Sequence, residues 1–188
     1  MKKVSLFAVL FVTFTSAFSQ KTISGVSFPA ALKTGDNTFN LVGGGIRKKF
    51  FIDVYVAALY LQHKNSDGVA VAKTDEAQIV RLVIVSGLVT SDKMVEATTE
   101  GFEKSTGGNT APIKDRMNAF MGVFKKEPIV KGDVFDFIYT PTAGLQVIKN
   151  GKQLSIIKGL DFKTALFGIW IGANPVDKTL KGEMLGTL

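Results

Sequence analysis

The sequence predicts an α+β domain whose sheet is large and mostly antiparallel. Short apolar runs rich in β-branched residues come first, two adjacent amphipathic helices follow, and a meander of strands closes on further helix. Elements that segregate in this way do not build a parallel sheet, which needs strands and helices in strict alternation. At 188 residues the chain can bury about two-thirds of the surface its unfolded form exposes. It has no cysteine, so disulfides and thiolate metal sites are not available to it.

Residues 1–19 read as a secretory signal rather than as part of the fold. Lys2 and Lys3 precede an apolar run from Val4 to about Ala17, and Ala17-Phe18-Ser19 puts small residues where a signal peptidase reads them. Cleavage before Gln20 would leave residues 20–188 as one exported domain, periplasmic or secreted. No later stretch approaches the roughly 20 apolar residues of a membrane helix.

Within that domain, Thr22 to Phe28 and Thr38 to Val42 read as short strands and Phe50 to Leu61 as a long one, ended by the turn Asn65-Ser66-Asp67-Gly68. Val80 to Val85 is a further strand. Ser91 is a suitable cap for a helix in which Met94, Val95, Thr98 and Phe102 share one side, and Gly107-Gly108-Asn109 stops it. A second helix opens at Pro112, with Ile113, Met117, Phe120, Met121 and Phe124 forming its apolar stripe. Val134 to Tyr139, Leu145 to Ile148 and Leu154 to Ile157 are strands, the last two joined by Asn150-Gly151, a pair suited to a type I′ hairpin. Phe162, Ala165, Leu166, Ile169 and Trp170 fall on one helical face, and Asn174-Pro175 reads as the start of a final short helix.

The formal charge of +7 falls to +5 once Lys2 and Lys3 leave with the leader. The remaining basic residues are mostly scattered among acids, and Arg47-Lys48-Lys49 and Lys125-Lys126 are the only runs of adjacent ones. This is not the basic stripe with stacking aromatics that nucleic-acid binding uses. His63 is the sole histidine and sits in a polar turn, without partners for a zinc site or a serine triad. Gly43-Gly44-Gly45 lacks the Gly-Lys-Ser/Thr ending of a phosphate loop and leads into a strand, so backbone freedom for a bend or bulge explains it better. Asp133 and Asp136 have no matched acid elsewhere to support paired-carboxylate catalysis. No metal and no cofactor is implied.

What stands out is the stretch VGGGIRKKFFIDVYVAALYL, Val42 to Leu61, in which an arginine precedes a strand that is apolar on both faces. Alternation puts Phe51, Asp53, Tyr55, Ala57 and Leu59 on one face and Ile52, Val54, Val56, Ala58 and Tyr60 on the other, so both faces should be covered. Such a strand could carry helices on one side and a cavity on the other, with Arg47 at the mouth to receive an anion. The plainer alternative is a buried strand whose Arg47 makes a surface ion pair.

GGGIRKKFFIDVYVAALYL resembles the signature of the chalcone isomerase-like family, in its exported bacterial branch. ALFGIWIGANPVDKTLK, Ala165 to Lys181, is similar to the C-terminal helix and turn of that branch, and LVTSDKMVEATTEGF to its middle segment. The resemblance implies an open-faced β-sandwich: a large, mostly antiparallel sheet packed by a layer of helices, with a ligand cleft between them. In the plant enzymes of this superfamily an arginine matching Arg47 steers a substrate oxyanion. In non-catalytic relatives that bind fatty acids, the arginine and a tyrosine on the following strand hold the carboxylate. Tyr55 is the leading match for that tyrosine and Tyr60 the fallback. Thr164 matches a hydroxyl residue of the C-terminal helix that contacts the ligand. The tyrosine and asparagine that the enzymes use near the middle helix correspond to Thr90 and Ala97, so the resemblance implies binding rather than turnover.

A geometric condition follows. On one straight strand, the eight residues from Arg47 to Tyr55 would span about 26 Å, too far to grip one carboxylate. The pairing therefore requires a reversal, expected between Ile46 and Phe50. Three readings stay open: a non-catalytic binder of a fatty acid or similar amphipathic anion through Arg47, Tyr55 or Tyr60, Thr90 and Thr164; a lyase or isomerase on an unknown substrate; or an interaction module whose cleft its own side chains fill.

Overall fold

The computed structural model describes residues 20–188, and the leader read in residues 1–19 lies outside the described residues. Seven strands form one sheet in sequence order: β3 (Ala31–Thr34), β4 (Asn37–Lys49), β5 (Ile52–Leu61), β6 (Gln78–Ile84), β7 (Val134–Thr140), β8 (Gly144–Lys149) and β9 (Lys152–Ile157). Every neighbouring pair is antiparallel. A separate hairpin pairs β1 (Gln20–Ile23) with β2 (Val26–Pro29). Helices α1 (Gly68–Lys73), α2 (Ser91–Thr106), α3 (Lys114–Phe124), α4 (Leu160–Ile171) and α5 (Lys178–Leu185) share a continuous apolar core with one face of the large sheet.

The two faces of β5 show how sequence builds these layers. Tyr55, Ala57, Leu59 and Leu61 enter the helix-side core, while Val56, Ala58 and Tyr60 join Ile23, Phe28 and Phe39 in a smaller core on the far side. Both faces are therefore covered, as the run of apolar residues requires. The far side is filled by the β1–β2 hairpin rather than by a cavity.

Several boundaries differ from the sequence reading, each for a local reason. Thr22 to Phe28 is two strands, because Ser24 and Gly25 both take positive φ (47° and 79°) and turn the chain. β4, expected to stop at Val42, runs through the glycines to Lys49. A register shift between Leu41 and Gly43 marks the expected bulge, and the glycines also serve close packing: α5 lies so near β4 that a Cβ at Gly43 would strike the backbone oxygen of Glu183, and one at Gly45 its carboxylate. β3 and α1 were not foreseen; Asp67 caps α1, accepting from the backbone N–H groups of Val69 and Ala70 at 3.0 Å each. Thr90, not Ser91, caps α2. The last helix begins at Lys178 rather than after Asn174, because the Asp177 carboxylate accepts from the N–H groups of Thr179 and Leu180 at 3.0 and 3.1 Å.

Candidate functional site

The reversal that the Arg47–Tyr55 pairing needs is present, at the C-terminal end of the stretch where it is expected. β4 and β5 form a hairpin whose two-residue turn is Phe50-Phe51, with φ of 48° and 66°. Positive φ at both central positions is the signature of a type I′ turn, normally filled by asparagine and glycine. Arg47 and Tyr55 become directly opposed residues across the ladder, so their side chains leave the same face of the sheet. A register shift beside this pair leaves Val54 as the extra residue of a bulge. That bulge turns Val54 toward the helices as well, against strict alternation.

Arg47 is held but not exhausted. Its Nη1 donates to Asp177 Oδ2 at 3.2 Å and to the Lys48 carbonyl oxygen. Among the described residues no group accepts from Nε or Nη2, so the edge that a carboxylate grips in bidentate fashion is free. Tyr55 is similarly half-used. The Trp170 indole Nε1 donates to the phenol oxygen at 3.0 Å, and no described residue accepts the phenol proton. Burial pushes the Tyr55 phenol above its ordinary value, opposed in part by the Trp170 hydrogen bond and the Arg47 charge and reinforced by the Asp177 charge. The group therefore stays a donor.

Both donors line a small cavity of about 70 Å³ between β5, α2 and α4, walled by Ala97, Thr98, Phe137, Ile169 and Trp170. Lys49 and Lys104 also reach it, against Glu100, so its rim is net positive. A larger cavity of about 290 Å³ adjoins it, sharing Val54, Tyr55, Met94 and Ala97 and continuing past Ile52, Leu88 and Val89 to Phe50. That volume lies at the lower edge of the range for small-molecule sites, about 300–1,000 Å³. Two donors at one end and apolar walls along the rest make a cleft suited to an amphipathic anion.

The other residues singled out from the sequence lie elsewhere. Tyr60 is on the opposite face of β5, where its hydroxyl donates to the Pro29 carbonyl at 3.0 Å. Burial pushes its phenol up to about 12, and it is turned away from Arg47 by strand alternation. Thr90 is exposed and spends its hydroxyl on the N–H of Lys93 at 3.3 Å as the helix cap. Thr164 lines a separate open groove with Lys73 and Ser105. Ala97 does face the cleft, so a methyl group stands where the resemblance puts a hydrogen-bonding side chain. Asp133 and Asp136 are accounted for structurally: Asp133 pairs with Lys149 at 2.9 Å, and Asp136 binds Arg81 in bidentate fashion at 2.6 and 2.9 Å. His63 is exposed, and the described residues hold no cluster of three metal-ligating side chains.

Three contributors escaped the sequence reading as site residues. Trp170 was visible only as a core residue, and Asp177 only as part of a turn. Thr98 carries a hydroxyl into the cavity wall with no hydrogen-bond partner among the described residues. Its signal was a hydroxyl in the middle of an otherwise apolar helical stripe.

Comparison with known proteins agrees with this architecture. No curated protein is matched by the sequence. Among solved structures, a fatty-acid-binding protein of Arabidopsis thaliana superposes with a TM-score of 0.68 at 23% identity, over 86% of this chain and 92% of that one. At that identity the likeness speaks for the fold. The chalcone isomerase-like family model matches residues 20–186, the whole described chain apart from its last two residues, and the protein belongs to that family.

Proposed function

We propose that this protein is a non-catalytic binder of a fatty acid or a similar amphipathic anion, held in the cleft between sheet and helices. The observation that carries this reading is the pair of unspent donors at one end of the cleft: the Nε/Nη2 edge of Arg47 and the phenol proton of Tyr55. A carboxylate accepts from both, and the acyl chain takes the apolar walls from Val54 and Met94 to Leu88. The fatty-acid-binding neighbour supports the choice of ligand class through its fold. The leader-like composition of residues 1–19 supports a location for this binding outside the cytoplasm, which N-terminal sequencing of the mature protein would check by finding Gln20 first.

The experiment is native mass spectrometry of gently purified protein, followed by titration with a fluorescent fatty acid. Wild type is expected to carry a fatty acid, and Arg47→Ala to lose it with an affinity at least about tenfold lower, as befits hydrogen bonds to a charged group. A wild type that carries no lipid and binds none would overturn the reading.

A further inference from the structure

The β4–β5 turn carries a feature that folding does not use and that the cleft uses only in part. Phe50 and Phe51 are 84% and 104% exposed at its tip, and Ile52 and Leu88 beside them are also exposed. Two phenylalanines are poor residues for this turn, since positive φ crowds any side chain with a Cβ and a type I′ turn favours asparagine and glycine. They bury nothing here in compensation. The patch is also continuous with the cleft, because Phe50, Ile52 and Leu88 form the outer wall of the larger cavity.

We infer that this tip is a membrane-docking element, which inserts Phe50 and Phe51 into the interface of an anionic lipid bilayer and presents the mouth of the cleft to it. Aromatic rings are favoured at the level of the lipid headgroups. Lys48 and Lys49 sit at and beside the turn, and Lys93, whose ammonium donates to the Leu88 carbonyl at 3.1 Å, lines the adjoining cavity wall together with Glu96. Their local acidic partners are weakly engaged: Lys48 reaches Asp53 at 3.6 Å and Lys49 reaches Glu100 at 3.5 Å, both on the exposed surface. Lipid phosphates can replace such contacts, which contribute little in water. A second copy of the chain fits the tip less well. Four phenylalanine side chains from two tips would bury about 600–1,000 Å², short of the roughly 1,200 Å² of a stable interface. A bilayer needs only a narrow apolar projection with cations around it.

The purpose this assigns to the tip rests on the fatty-acid reading: an acyl chain can pass between bilayer and cleft without crossing water. The docking itself is measured independently of any ligand. Full-length mature protein is sedimented with phosphatidylcholine vesicles containing phosphatidylglycerol, and compared with Phe51→Gly. Phe51 does not line either cavity, and glycine suits its backbone, so this variant should melt no lower than wild type and bind fatty acid equally well. Its vesicle partition should fall by about tenfold or more, the loss of one buried aromatic side chain. In a third protein, Phe51→Trp, binding should persist and the added indole emission should shift to the blue on vesicles, with buried Trp170 as a constant background. Absence of wild-type binding, equal binding by Phe51→Gly, or a wild-type dimer in sedimentation equilibrium that Phe51→Gly abolishes would each overturn the inference. Vesicle binding without fatty-acid binding would leave it standing and sink the proposed function instead.

Discussion

The indole N–H of Trp170 donates to the phenol oxygen of Tyr55 at 3.0 Å, across 115 residues of sequence. Because tryptophan can only donate, this contact fixes Tyr55 as the acceptor and leaves the phenol proton for something else. With the guanidinium of Arg47 on the opposing strand, that proton is available to the anion of the proposed function.

Tyr55→Phe should therefore act on two observables at once. Binding of a fatty acid should weaken by about tenfold, the contribution of one hydrogen bond to a charged acceptor. Stability should fall by about 1–3 kcal/mol, because the Trp170 N–H loses its partner inside the core. Adding Trp170→Phe should recover part of the stability and none of the affinity. Since the phenol is raised above its ordinary value, binding should show no alkaline loss from this group below about pH 10. Calorimetry with ligand titration reads both; a variant with unchanged affinity would remove Tyr55 from the site.

The glycines of β4 differ in what they touch, and this separates two substitutions that look alike in the sequence. A Cβ at Gly43 meets backbone of α5, which cannot yield without shifting the helix, whereas one at Gly45 meets chiefly the Glu183 carboxylate, which can rotate away, and the Glu183 Cβ at 2.9 Å, which needs only a small shift. Gly43→Ala should cost about 1–3 kcal/mol or more as an overpacked contact, and Gly45→Ala clearly less. Denaturant unfolding would compare them; equal costs would mean that α5 is not seated on β4 as described.

Acid sensitivity should trace to Asp133. Burial pushes its carboxyl up, but the Val130 N–H, the Asn150 amide and the Lys149 ammonium together hold it below its ordinary value. The unfolded carboxyl then binds protons first, so this stabilisation is present above about pH 4 and is lost as pH falls through the lower folded value. Asp133→Asn should destabilise at neutral pH, by about 3–5 kcal/mol for a broken buried pair, and the gap to wild type should narrow below pH of about 4. Melting curves across that range test it, and a gap independent of pH would contradict it.

Lys163 predicts the opposite limb. It is fully buried, with its ammonium donating to the carbonyls of Val71, Ala72 and Thr74 at 3.0, 3.1 and 2.8 Å, tying α4 to the end of α1. Burial pushes it down to about 8, against the charges of Asp75 and Glu76. Between that value and the unfolded value of about 10.4 the unfolded chain holds more protons, so stability rises with pH over that window relative to Lys163→Met. The difference in melting temperature between the two proteins should grow from pH of about 8 to about 10; a constant difference would show that the ammonium keeps its proton throughout.

The meander from β6 to β9, the apolar stripes of α2 and α3 and the Asn150-Gly151 turn were legible because each is a short-range pattern: alternation, helical periodicity, or a turn that tolerates positive φ. The doubly apolar character of β5 was legible for the same reason, and it required two covering layers. What covers each face was not, because a strand records only that it is buried. The reading of Gly43 to Gly45 as a bend or bulge is right in part: a register shift falls between Leu41 and Gly43, but the close approach of α5 was not legible, because a bulge and an approach of two backbones call for the same residue.

The sequence by itself determined most of the elements, their mostly antiparallel sheet, the family resemblance and Arg47 as the residue to watch. Only the tertiary structure decided that Phe50-Phe51 turns the chain, so that Arg47 meets Tyr55, that Tyr60 faces away, and that Thr90 and Thr164 lie outside the cleft. The physical reason is that a site is a set of unspent hydrogen-bonding groups on one surface. Which groups are spent depends on partners as distant as Trp170 and Asp177, brought there by packing that no local pattern encodes.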